Sequence, residues 1–236
     1  MSRGAGLVLG GSSGIGAAVA AKAQAAGWNV LAASRRGESS AAGVRTAVCD
    51  IRDPSAVART TQVAAREGRL DWVVNAAGVG FYAPVEAKFA EQWQSILDTN
   101  VVGTLNLMAA CTGLTEPVGH FIQIGSLASR RPSRTPGNTV YAAAKMAGAQ
   151  LLERYREELR AGGIGTRVTL ITPGYVGDTG FGRDFFQFSP EAAQPILEAF
   201  PPLTPQDVAR VVQFALESPE QVEISEVVVR PVGQPD

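Results

Sequence analysis

Tyr141 and Lys145 stand four residues apart in VYAAAKMAG, and Ser126 closes the apolar run HFIQIGS. On a helix, residues four apart share one face, so an ammonium would lie beside a phenol. A free tyrosine titrates near ~10, and a neighbouring ammonium stabilises the phenolate, which predicts a phenol tuned toward neutrality. Such a group can pass a proton to or from a carbonyl oxygen. Ser126, at the predicted C-terminal end of a strand, is placed to hold the same oxygen, because open α/β sheets bind ligands at those ends. Each residue also has a plain structural reading: Ser126 as a turn residue and Tyr141 as a half-buried helix tyrosine.

A second chemical signal lies in LVLGGSSGIGAAVA, residues 7–20. Gly10, Gly14 and Gly16, with Ser12, Ser13 and Ile15 between them, separate a predicted strand from a predicted helix. The helix start presents unpaired N–H groups and the positive end of its dipole, where phosphate binds. Glycine is required there because a Cβ would hold a pyrophosphate off the backbone and would block close packing of helix on strand. The next strand ends in Ser34, Arg35 and Arg36, where an NAD site would carry an acid for the ribose hydroxyls. A serine and two arginines suit a 2′-phosphate instead, which selects NADP(H). A solvated turn is the alternative reading of the arginines. Asp50, followed by Ile51, ends a predicted third strand and is read either as a contact to the adenine edge or as the cap of a helix starting near Pro54, for which Asp53, directly before that first-turn proline, is the other candidate cap.

These groups need a scaffold that brings strand ends together. The runs GLVLG, WNVLAAS, LDWVVNAAG, HFIQIGS, RVTLIT and ISEVVV alternate with helical stretches at 14–27, 54–68, 89–112 and 138–161. That alternation predicts an α/β fold, a Rossmann-type doubly wound parallel sheet with helices on both faces. The prolines and aromatics between Thr172 and Thr204, including Tyr175, Phe181, Phe185, Phe186 and Phe188, predict a substrate lid at about 175–203. No linker divides residues 1–236, so one domain is expected.

Composition narrows the function. The chain is 45% hydrophobic and 18% charged with a formal net charge of −1, which gives no broad positive field for nucleic acid or an anionic membrane. Cys49 and Cys111 have no pairing motif and His120 is the single histidine, so neither disulfides nor a metal site are expected. The opening residues carry no signal-type or spanning segment, and a cytoplasmic location follows as the expectation. The last residues, RPVGQPD, read as a C-terminal extension.

GGSSGIG, NAAG at 75–78, Asn100 in DTNVVGT, Ser126, YAAAK and PGYVGDT occur in an order that resembles the short-chain dehydrogenase/reductase family over nearly the whole chain. The resemblance implies about seven strands, NADP(H) as cofactor and a ketoreductase or alcohol dehydrogenase reaction. It makes Tyr141 the proton donor, Lys145 the ribose-binding partner that tunes it, Ser126 the group orienting the carbonyl, and Asn100 the anchor of a water and of helix geometry in a proton relay. Asn75, Ala76, Ala77 and Gly78 would form the cofactor wall, with Pro173, Gly174 and Val176 beside the nicotinamide and Thr179 near its carboxamide.

Four features depart from the family pattern. Leu9 replaces a threonine, Ala76 replaces a second asparagine, and Thr179 falls one residue late. The 15-residue interval from Ser126 to Tyr141 is slightly long and holds Arg130, Arg131 and Arg134, which could attract an acidic substrate or simply be solvated. The ending ISEVVVRPVGQ resembles the subgroup acting on small hydroxy acids, whereas the aromatic lid suits a larger cyclic or polyketide ketone. Alternative readings are an NADP(H)-binding sensor or scaffold without chemistry, and an epimerase or dehydratase of the same fold. The resemblance also implies a homotetramer or homodimer joined through the helices at 89–112 and 138–161.

Overall fold

The computed structural model describes residues 3–65, 68–130, 137–185 and 200–234. The apolar runs form the strands β1 (Ala5–Leu9), β2 (Asn29–Ser34), β3 (Arg45–Val48), β4 (Leu70–Asn75), β5 (His120–Ile124), β6 (Arg167–Pro173) and β7 (Glu226–Val229). They pair in parallel in the order 3-2-1-4-5-6-7. Strand order reverses beside β1, and that is the switch point at which a doubly wound sheet opens a ligand crevice.

Because side chains alternate across a strand, the runs without polar positions bury both faces. Leu7, Leu9, Phe121 and Leu170 point to one side, into a core closed by α2 (Pro54–Ala65), α4 (Gly103–Thr112) and α5 (Thr139–Ala161). Val8, Trp72, Ile122 and Ile171 point to the other, against α1 (Gly14–Ala25) and α7 (Pro205–Leu216). Fully burying such a side chain stabilises by about 1.5–3 kcal/mol, so the two cores dominate the fold's energetics. Gly6 in β1 admits the Trp72 indole, whose nearest ring carbon would lie 2.0 Å from a Cβ there.

The predicted helix at 89–112 is not continuous. A 3₁₀ turn at Ala87–Phe89 leads into α3 (Ala90–Leu97), followed by a π-helical turn at Asp98–Val102 and then α4. π turns are rare and concentrate at functional sites, and this one carries Asn100. The stretch predicted at 14–27 ends as helix at Ala25, and among the described residues the one predicted at 54–68 is helix over Pro54–Ala65. Helix α7 went unpredicted, although its start is well marked: the Thr204 hydroxyl accepts from the Asp207 N–H at 3.2 Å, the Asp207 carboxylate accepts from the Thr204 N–H at 2.8 Å, and Pro205 fills the first turn. Of the predicted lid, the structure describes residues 175–185, including α6 (Phe181–Phe185), and 200–203. Phe186 and Phe188 lie outside the described residues, as do Arg131 and Arg134.

Candidate active site

The described candidate site residues lie at the C-terminal strand ends or on the helical elements beside them. After β1, Gly10 takes φ +80° and its N–H, like that of Gly11, donates to Ala33 O. A Cβ at Gly10 would lie 2.6 Å from Ala77 N, and one at Gly16 would lie 2.3 Å from Gly10 O, so both glycines are fixed by close backbone approach. Ser13 occupies the N-cap of α1 but makes no side-chain cap bond, and the first turn holds no acid. The leading N–H groups of α1 and its dipole are thus available to an anion, and the loop fits a pyrophosphate.

Arg36 reaches this loop: its Nη2 donates to Ser12 Oγ at 2.9 Å while its Nε pairs with Glu38 at 2.7 Å. The Ser34 hydroxyl accepts from the Gly37 N–H at 3.2 Å and so shapes the turn. Arg35 is exposed, and its charge acts on Asp50. Asp50 does not cap α2; Asp53 does, accepting from the Ser55 and Ala56 N–H groups. Asp50 instead grips the Arg52 guanidinium at 2.6–3.1 Å, which holds its carboxyl below the usual range. Ile51 is buried under Gly103, where a Cβ would meet its Cγ2 at 2.7 Å.

The NAAG wall is tied from three sides. Asn75 donates to Gln123 Oε1 at 3.0 Å and to Thr104 Oγ1 at 3.3 Å, and accepts from the Ala77 N–H. The Ala76 N–H donates to Leu9 O at 2.9 Å, so the threonine-to-leucine departure leaves the backbone link between β1 and the wall intact. Asn100 clasps Val79 through both amide atoms, donating to its carbonyl at 2.7 Å and accepting from its N–H at 3.0 Å. Sequence reasoning missed Gln123 and Thr104; a buried glutamine in a strand was the available signal.

Ser126, Tyr141 and Lys145 come together. The Ser126 hydroxyl lies beside the Tyr141 phenol and works to lower its pKa, and it accepts from the Ala128 N–H, capping a 3₁₀ turn at Leu127–Ser129. The turn reading of Ser126 therefore describes it. Lys145 Nζ donates to Ile124 O at 3.2 Å and lies 5.9 Å from the Tyr141 ring centroid. The expected lowering of the phenol is not found. Burial pushes Tyr141 up to about 12, opposed by the neighbouring Ser126 hydroxyl. Burial also pulls Lys145 down to about 8.

Two phenylalanines of α6 complete the site. Phe181 and Phe185 pack on Tyr141 at ring-centroid distances of 5.5 and 5.7 Å, and the Phe185 carbonyl accepts from the Tyr82 N–H at 2.7 Å. Gly80 makes room for all three rings, since a Cβ there would lie 2.5 Å from Phe181. Thr179 packs directly on Gly14, and Val176 bridges to Leu203. Gly174 bonds to Val229 O at 2.7 Å, beyond Pro173 at the end of β6. Arg130 pairs with Glu226 of β7 at the sheet edge.

Residues 5–189 match the model of the short chain dehydrogenase family. The chain belongs to that family. This short-chain dehydrogenase is an oxidoreductase of the class acting on hydroxyl and carbonyl groups. It is 33% identical to the NADP-dependent 3-hydroxy acid dehydrogenase of Salmonella typhi, over 97% of this chain and 95% of that protein. It is 32% identical to the glycine betaine reductase of Emericella nidulans over 97% of its own length, but spans only 19% of that protein. Its fold matches the closed form of a serine dehydrogenase complexed with NADP+, with a TM-score of 0.86 and 29% identity across 98% and 96% of the two chains.

Proposed function

We propose that this short-chain dehydrogenase interconverts the secondary alcohol of a small 3-hydroxy acid and the corresponding carbonyl, with NADP(H) as cofactor. The observation that carries the reading is Ser126 set beside Tyr141, roofed by Phe181 and Phe185 at the strand ends next to an uncapped glycine loop. The names of two relatives, an NADP-dependent 3-hydroxy acid dehydrogenase and a serine dehydrogenase complexed with NADP+, support the cofactor and the substrate class. So does the packing of two phenylalanines on Tyr141, which favours a small substrate over a cyclic or polyketide ketone.

NADP(H), when bound, supplies hydride transfer to and from the substrate carbon. The Gly10–Gly16 loop would hold its pyrophosphate, Arg36 with Ser12 its 2′-phosphate, Asp50 and Ile51 its adenine side, and Asn75–Gly78, Lys145, Pro173, Gly174, Val176 and Thr179 its nicotinamide side. In reduction Tyr141, a neutral phenol at physiological pH, gives its proton to the substrate oxygen. In oxidation it takes that proton back. Ser126 donates to the same oxygen and fixes its direction, and the Lys145 ammonium stabilises the phenolate as the proton leaves. Phe181 and Phe185 exclude water from the transfer. Asn100 acts as a positioning residue that holds Val79, and with it the Gly78 wall against which Lys145 sits.

The same reading assigns the chain to the cytoplasm as a homodimer or homotetramer. Exposed Leu97, Val102 and Leu105 on α3, the π turn and α4, together with Met146 on α5, support a helical contact between copies. Among the described residues, no helix is long and apolar enough to cross a membrane.

The test is turnover of serine and other 3-hydroxy acids with NADP+, against bulky cyclic ketones with NADPH, followed by the nicotinamide absorbance. Turnover of the small acids is expected. Turnover confined to bulky ketones would overturn the substrate class, and failure to bind NADPH would overturn the cofactor site.

A further inference from the structure

After β7 the chain turns back on itself over Arg230–Gln234, closed by the Gln234 N–H donating to Pro231 O at 3.1 Å. This turn lies against the first residues of the lid. Gln234 Oε1 accepts from the Tyr175 N–H at 2.9 Å, and a Cβ at Gly174 would lie 2.2 Å from the same oxygen. The glutamine carbonyl thus occupies the space that the missing Gly174 side chain leaves. Gly233 sits under Phe200, where a Cβ would be 3.1 Å from Phe200 Cβ, and Phe200 meets Tyr175 edge-on at 6.3 Å. Both described ends of the lid, Tyr175 and Phe200, therefore rest on one turn.

The contacts continue to the reacting groups. The Tyr175 hydroxyl lies close to Gly182 in α6, where a Cβ would be 3.2 Å away. Phe181 and Phe185 of the same helix cover Tyr141. A buried or half-buried backbone N–H requires an acceptor, and at Tyr175 the acceptor comes from a side chain 59 residues along the chain.

We propose that the Arg230–Gln234 turn is a clasp that sets the Gly174–Tyr175 backbone and seats the lid, with the Gln234 side-chain carbonyl as its positioning group. Its effect on nucleotide binding rests on the NADP(H) reading given above. Its effect on the lid does not.

The experiment compares wild type with Gln234→Ala, which removes the acceptor, and Gln234→Glu, which keeps one for the Tyr175 N–H. Amide hydrogen exchange of residues 174–185 is measured without nucleotide, alongside NADPH affinity by fluorescence titration and the thermal midpoint. Gln234→Ala is expected to exchange faster in that segment and to bind NADPH about threefold to tenfold more weakly, the loss of one hydrogen bond to backbone. Gln234→Glu should match wild type in both, and the three midpoints should agree. Unchanged exchange in Gln234→Ala would overturn the clasp, as would equal acceleration in both variants with lowered midpoints, which marks a general loosening. If wild type bound no NADPH, the cofactor reading would fall while the exchange comparison still decided the clasp.

Discussion

Strand β5 has a titratable group at its start, and its other end leads into the site. At the N-terminal end His120 is buried, with Nε2 2.7 Å from the Thr169 hydroxyl. That hydroxyl donates to Ile224 O at 2.6 Å, so His120 must be the donor to it, and its buried Nδ1 has no partner among the described residues. Burial, with Arg167 nearby, pulls its pKa down to about 3. At the C-terminal end burial pushes Tyr141 up and pulls Lys145 down, yet these two and Ser126 converge on one another beneath Phe181 and Phe185. Burial and a shifted pKa are common to both ends. What separates them is convergence: several polar groups aimed at one place beside an anion-binding loop, against one ring locked neutral between strands.

Substitution at each end should break different properties. Tyr141→Phe removes the proton-transfer group and keeps the ring packed against Phe181 and Phe185, so turnover should fall by about 10²–10⁴-fold with little change in thermal midpoint. Retained turnover would remove Tyr141 from the chemistry. At the opposite end the effect is on stability. The folded pKa of His120 lies below the ordinary 6.5, so the folded state refuses a proton that the unfolded chain accepts. The histidine's contribution is present above pH 6.5 and lost as pH falls toward 3, of order 5 kcal/mol for the full shift. Urea unfolding from pH 7 to 4 should show this slope in wild type and a flatter one in His120→Gln, with turnover at neutral pH unchanged. Parallel slopes would mean that the imidazole is not held neutral.

The same contrast governs what could be read without coordinates. The parallel sheet was legible because buried strands without polar positions, separated by helical periods, admit few other folds; so were Gly10, Gly16, Ser126 and the Tyr141–Lys145 spacing, whose signals are local. The π turn at Asp98–Val102 was not legible, since one extra residue per turn leaves the apolar pattern of 89–112 unbroken. The capping role fell to Asp53 and not Asp50 because Arg52 claims Asp50, a competition between neighbours that spacing alone leaves open. The elevated phenol depends on how deeply Phe181, Phe185 and the surrounding elements bury Tyr141, which its spacing to Lys145 does not encode. Contacts such as Gln123 to Asn75 and Phe185 to Tyr82 follow from which strands and loops become neighbours, and no local pattern encodes that.

Arg36 gives the smallest of the expected effects and the sharpest test of the loop. Its guanidinium already spans Ser12 and Glu38 at the edge of the phosphate-binding backbone, and both bonds are solvent-exposed, so its removal should cost little stability. A guanidinium that also meets a 2′-phosphate makes charge-assisted bonds that a nucleotide without that phosphate cannot form. Arg36→Ala should therefore weaken NADPH binding by about tenfold, roughly 1.4 kcal/mol, and leave NADH binding unchanged. Paired fluorescence titrations separate the outcomes. Equal weakening of both nucleotides would move Arg36 from 2′-phosphate recognition to shaping the loop through Ser12. No change in either would make it the solvated turn that its Glu38 partner alone would explain.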